Sequence, residues 1–228
     1  MKRLLSFFAL SGVLAVAAPA RADIIYTFAS SSFNGTLGTS QAYTSGGYTI
    51  ETYGFNSTLG GTSPTQTLTL GTATDLFAKY SGVGSGETGL GINSDPTGDH
   101  EITTTTAIEV NMASVLAANP NSPVTLTIGS VQRNEGYAVF GGSASPTTEL
   151  GSFTNTNGSG SQFTFTITAA EAATSGGVFY VTATSGNVLL DTIDVAAVPE
   201  PATLTLALTG LGFAGGFGWI RRRRSARV

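Results

Sequence analysis

The stretch Gln162-Phe163-Thr164-Phe165-Thr166-Ile167-Thr168 alternates apolar and polar side chains without a break. Neighbouring side chains of a strand point to opposite faces, so Phe163, Phe165 and Ile167 share one face and the threonines the other. That is the pattern of a half-buried strand. Outward from it, short β-prone runs recur between Gly, Ser, Asn and Pro. Ile24–Phe28, Tyr48–Tyr53, Gln66–Leu70, Leu76–Tyr80 and Ile108–Met112 precede it as candidate strands, with Val124–Ile128 and Tyr137–Phe140. Val178–Ala183 and Val188–Val195 follow, joined by Ser185-Gly186-Asn187 as a hairpin turn. Ser114–Asn119 and Ala169–Thr174 read as short helical turns. The pattern predicts an all-β domain, a two-sheet β-sandwich of jelly-roll-like form. No regular repeat points to a propeller or β-helix. Thr103–Thr106 raises the alternative of a disordered, glycosylated stalk, against which the buried-looking aromatics argue.

Composition agrees with strands and turns: 30 glycines in 228 residues and only 11% charged side chains. The formal net charge of −4 conceals a division. Eight of the ten basic residues lie at the two ends, leaving Lys79 and Arg133 against thirteen acids between residues 23 and 198, a formal charge of −11. Such a body repels phosphate backbones, so nucleic acid is not an expected partner. The absence of cysteine excludes disulfides, thiolate metal sites and cysteine nucleophiles.

Residues 1–22 have the three regions of a secretory signal peptide. Lys2 and Arg3 form the basic start, Leu4 to Ala18 the apolar stretch, and Ala20-Arg21-Ala22 the small-x-small pattern. Cleavage is expected between Ala22 and Asp23. The other end reads Val198-Pro199-Glu200-Pro201, then an uncharged run from Ala202 to Ile220, then Arg221-Arg222-Arg223-Arg224. At 1.5 Å per residue, a helix over about 202–220 nearly spans a hydrocarbon core of ~30 Å. Its five glycines weaken it in water, but in lipid the backbone has no alternative to internal hydrogen bonding. Trp219 falls at an interface, and the arginines are expected to stay cytoplasmic as a basic anchor.

That order, Val-Pro-Glu-Pro, one glycine-bearing hydrophobic span and a terminal arginine cluster, resembles the PEP-CTERM sorting signal. In that family the signal is recognised by exosortase, a multipass membrane enzyme related to cysteine proteases and transpeptidases, found in exopolysaccharide-producing bacteria. The resemblance implies Pro199, Glu200 and Pro201 as the recognition residues, exosortase and the cytoplasmic membrane as partners, and exopolysaccharide as a candidate third. The two prolines fix φ and remove backbone donors, which favours an extended, readable segment. The stretch Gly89-Leu90-Gly91-Ile92, a polar loop and His100-Glu101-Ile102 is similar to a segment of family members with jelly-roll-like ectodomains. There Asp-Glu-Ile-Asp is usual, whereas His100 and Thr103 replace two acids here. Asn187–Val195 resembles the last ectodomain strand that leads into the tag.

The same loop carries the candidate metal chemistry. Calcium takes six to eight oxygen ligands. Asn93, Asp95, Asp99 and Glu101 offer several from one segment, although their spacing lacks the glycine and the final glutamate of an EF-hand loop. The other reading of these residues is a solvated acidic loop with Asx turns. Zinc is disfavoured because His100 is the one histidine. A serine triad would need His100 beside a nucleophile motif that the chain lacks. Asp99 with Glu101 on one strand face, or Asp75 with a neighbour, could mimic a glycosidase pair, but thirteen acids make such pairs by chance. Tyr43, Tyr48, Tyr53 and Tyr80 are available as sugar platforms.

These observations imply a signal peptide over 1–22, a β-sandwich ectodomain over 23–197 and a sorting signal over 198–228. The expected product is a non-catalytic, exported protein, first held at the inner membrane and then placed at the cell surface or in an exopolysaccharide matrix or biofilm. A carbohydrate- or calcium-binding adhesion module is the alternative, and a polysaccharide-acting hydrolase the third reading.

Overall fold

The computed structural model describes residues 22–29, 33–81, 87–95, 98–143, 147–158 and 160–197. The signal peptide up to Arg21, the Pro-Glu-Pro motif, the expected membrane helix and the arginine block lie outside them. Among the described residues no helix is long and apolar enough to cross a membrane. Ala22–Ala197 forms one compact unit.

Fourteen strands are described. They begin with β1 (Ile24–Thr27), β2 (Gly35–Gly38), β3 (Ser40–Ser45), β4 (Tyr48–Gly60) and β5 (Thr67–Thr74). β6 (Leu76–Lys79), β7 (Gly89–Ile92), β8 (Thr106–Asn111), β9 (Val124–Gly129) and β10 (Gly136–Gly141) follow. β11 (Thr147–Thr154), β12 (Phe163–Ile167), β13 (Val178–Ser185) and β14 (Leu189–Val195) complete the series. Two one-turn helices, α1 (Ala113–Ala118) and α2 (Ala169–Thr174), stand at the two expected places. At α2 the Thr168 hydroxyl accepts from the Glu171 N–H while the Glu171 carboxylate accepts from the Thr168 N–H, a reciprocal cap for two otherwise orphaned donors.

The strands form two seven-stranded antiparallel sheets. The first has the order β12-β9-β14-β7-β6-β2, and β1 pairs with β14 beyond the point where Leu190 meets Leu90 of β7. The second runs β3-β4-β5-β11-β10-β13-β8. β8 then pairs with β4 again, from Glu51↔Asn111 to Asn56↔Thr106, so six of its strands close on themselves.

Closure depends on the 13-residue β4. Its first half pairs with β3 and its second half with β5 along the same edge, while β8 takes the other edge. The β4–β5 register shifts between Phe55 and Ser57, the kind of irregularity that bends and twists a strand. Gly54 sits at the turn of this bend. A Cβ there would lie 2.5 Å from the Thr74 carbonyl oxygen, so the close approach admits only glycine.

Both sheets contribute to one core. Leu76, Leu90, Ile92, Leu126, Ile128 and Ile193 from the first meet Ile50, Ile108, Val110, Val139, Phe179 and Val181 from the second. Each such aliphatic side chain contributes roughly 1.5–3 kcal/mol on burial. β12 supplies Ile167 to this core, while Phe163 and Phe165 are only half buried because β12 is the edge of its sheet. A second, smaller cluster lies on the other face of the closed sheet: Leu68, Ala107, Ala138, Phe140, Val178 and Tyr180, with Leu59 and Leu70 packed on it. Closure of the sheet puts apolar residues on both faces of β10 and β13.

Candidate functional site

The segment Asn93–Glu101 follows β7 and returns under it. Asn93 Oδ1 accepts from the Thr36 hydroxyl at 3.1 Å, and the Asn93 carbonyl lies 3.3 Å from His100 Nδ1. Asp95 is buried, and its Oδ2 accepts from the backbone N–H of Asp99 at 3.2 Å and of Glu101 at 3.5 Å. This is the local carboxylate-to-backbone bonding that Asp uses to shape turns. The exposed Asp99 carboxylate accepts from Asn187 Nδ2 at 3.5 Å. His100 adopts φ 60° and stacks on Phe77, ring centroids 4.0 Å apart. Its carbonyl oxygen would lie 2.0 Å from a Cβ on Gly91, so the glycine of β7 lets the loop return this closely.

Glu101 is placed quite differently from a loop ligand. It is buried, and Lys79 Nζ at the end of β6 lies 2.5 Å from its Oε1. The Ser130 hydroxyl donates toward both carboxylate oxygens, at 3.0 and 3.1 Å. Burial pushes the Glu101 carboxyl up, and Lys79 and Ser130 pull it partly back. Glu87 adds a second, looser contact to Lys79 at 3.7 Å. Thus Asp95 and Glu101 spend their oxygens on the protein itself. Among the described residues no group of three or more His, Asp or Glu side chains is placed to hold a metal ion. Nor do Asp99 and Glu101 form an open carboxylate pair, since one is exposed and the other is buried against Lys79.

The tyrosines divide in the same way. Tyr43 packs edge-on against Phe28, centroids 4.8 Å apart, and burial pushes its phenol well up. Tyr48 packs against the main core, where its carbonyl accepts from the Tyr26 hydroxyl at 3.3 Å. Tyr80 stands after β6, its N–H donating to Asn34 Oδ1 at 3.4 Å. Tyr53 lies on the face turned from the main core, where its hydroxyl donates to Glu51 and the carboxylate of Glu109 lies near. Glu109 and its neighbour Tyr180 were not among the sequence candidates. A lone acid in Ala107-Ile108-Glu109-Val110 carries no signal beyond the solvent face of a strand.

The two ends of the body meet. Every residue of β1 pairs with β14, from Ile24↔Val195 to Thr27↔Thr192. Beyond the ladder, the Ala197 N–H donates to Asp23 Oδ1 at 2.8 Å and the Ala196 N–H to the Pro123 carbonyl at 3.2 Å. Burial pushes the Asp194 carboxyl up, and the Asp23 charge adds to the shift. Ala22 and Asp23, the expected cleavage pair, are both exposed and lie immediately before β1. Pro199, Glu200, Pro201 and Arg221–Arg224 lie outside the described residues.

Residues 197–224 match the family model of the PEP-CTERM protein-sorting motif. No curated protein and no solved structure matches the chain. The match begins at Ala197, whose N–H is hydrogen-bonded to Asp23, and the chain therefore carries a PEP-CTERM protein-sorting motif at the end of its described body.

Proposed function

We propose that this chain is an exported precursor, held at the inner membrane by its C-terminal segment and processed by exosortase. Its body is then delivered to the cell surface or the extracellular matrix. The observation that carries the reading is the motif match at 197–224 directly after a self-contained unit ending at Ala197. Among the described residues, every member of both core clusters lies within Ile24–Val195. In this reading residues 1–22 are removed on export, residues 202–220 span the membrane, and Arg221–Arg224 stay inside. The body is a jelly-roll-like β-sandwich that serves an exopolysaccharide or biofilm matrix without catalysis.

Replacement of Pro199-Glu200-Pro201 by three alanines in the native host tests this. The expected result is accumulation of full-length, membrane-held precursor. Unaltered processing, read by mass spectrometry of the mature C-terminus, would contradict it. A second reading, saccharide binding by the body, is favoured by Tyr53 and Glu109 standing together, both half exposed, on the sheet face turned from the main core.

A further inference from the structure

The face of the closed sheet turned from the main core carries polar and aromatic side chains in register beside the second cluster, with Glu51 exposed and Tyr53, Glu109 and Asn111 half buried. Ile108 and Val110 of β8 enter the main core, so Glu109 and Asn111 point the other way. Across the β4–β8 ladder Glu51 stands opposite Asn111 and Tyr53 opposite Glu109. Across β8–β13 Glu109 stands opposite Tyr180, and Tyr180 in turn opposite Phe140 of β10. On the far side, β3 sets the small, exposed Ser40 opposite the half-buried Tyr53 and the exposed Ala42 opposite Glu51. Phe55 comes next on this face, half buried and opposite Ala107.

Glu109 is held there at a cost. It is half buried, burial pushes its carboxyl up, and the hydrogen bond from the Tyr180 hydroxyl pulls it only partly back. No cation neutralises it: among the described residues the ion pairs all belong to Lys79, which is occupied with Glu101 and Glu87. A carboxylate left partly desolvated without a counter-charge marks a functional candidate when the site also has shape and partners. A further unmet group lies on the same face. Ser57, 8% exposed, follows Phe55 in the alternation and precedes Leu59 of the second cluster, and its Oγ is buried without a hydrogen-bond partner among the described residues.

We infer that Glu51, Tyr53, Glu109 and Asn111 form a binding site for a neutral, hydroxyl-rich saccharide. The carboxylates accept hydrogen bonds from sugar hydroxyls, the Asn111 amide can donate or accept, and the Tyr53 ring covers the apolar C–H face of a pyranose. The selection for neutral ligands follows from charge: two carboxylates on a body of formal charge −11 repel uronates, sulfates and phosphates. The inference deepens the matrix reading above by naming the class of polymer the body contacts.

The test uses residues 23–197, which contain both cores, titrated with neutral hexasaccharides of gluco, manno and galacto series, with an oligogalacturonate as the anionic comparison. At least one neutral hexasaccharide is expected to bind saturably by calorimetry and the oligogalacturonate not to bind. Tyr53→Ala and Glu109→Gln are each expected to weaken binding by about tenfold or more, with the far-ultraviolet circular dichroism unchanged. Two results would overturn the inference: a folded body that binds none of the neutral sugars, or binding that both substitutions leave intact. Because the isolated body lacks the sorting motif, this experiment and the Pro199–Pro201 experiment fail independently.

Discussion

Two glutamates eight residues apart, Glu101 and Glu109, meet the protein interior on opposite terms. Glu101 is buried more deeply, yet Lys79 and Ser130 supply a charge and a hydroxyl for its oxygens. Glu109 keeps partial access to solvent and receives a hydrogen bond from the Tyr180 phenol. Burial pushes both carboxyls up. The difference lies in what completes them. The first is satisfied by the fold and belongs to its architecture; the second, half buried, has no cation beside it among the described residues. An acid in a polar loop is therefore no better a ligand candidate than an acid in a strand until its partners are known.

The strongest way to break the comparison is to remove the cation that separates the two sites. Lys79→Met should leave a buried, uncompensated carboxylate and cost about 3–5 kcal/mol at neutral pH, read by denaturant unfolding of residues 23–197. Adding Glu101→Gln to that variant should restore part of the loss. If the single substitution is nearly silent, Glu101 is not held as described.

A smaller effect is expected at the open site. A carboxyl with its folded pKa above the unfolded value costs stability as pH rises through its titration, because the unfolded chain ionises more readily. Glu109→Gln removes that cost. The variant should gain roughly 0.5 kcal/mol at neutral pH and lose the advantage as pH falls below the carboxylate range. A gain independent of pH in thermal melts would show that the charge is not the cause. The smallest effect concerns the loop that sequence reading singled out. Millimolar calcium should leave the melting temperature of residues 23–197 unchanged, because Asp95 and Glu101 are already bonded to backbone, Lys79 and Ser130. A rise on adding calcium would move the site back to Asn93–Glu101.

Much of the fold was legible. All ten candidate strands and both helical turns are present, since each marks a run with a buried face or a clear cap. Of the other four strands, β7 was marked only by the resemblance carried by Gly89-Leu90-Gly91-Ile92, and β2, β3 and β11 were missed because their residues hide little: β2 and β3 have no fully buried side chain, and β11 has only Thr147. β4 runs seven residues past its expected end at Tyr53, through Gly54, Asn56 and Ser57, residues that read as a break. Here they form the bend that lets β4 serve β3, β5 and β8.

By itself the sequence determined the all-β class, the acidic cysteine-free body and the sorting motif, because alternation, charge and motif order are local along the chain. The tertiary structure alone decided that Lys79 answers Glu101 across 22 residues and that Tyr53 stands beside Glu109 across 56. The return of the loop after β7 brings Glu101 to β6, and closure of the second sheet brings β4 beside β8; sequence periodicity says which face a side chain takes but not which strand will lie opposite it.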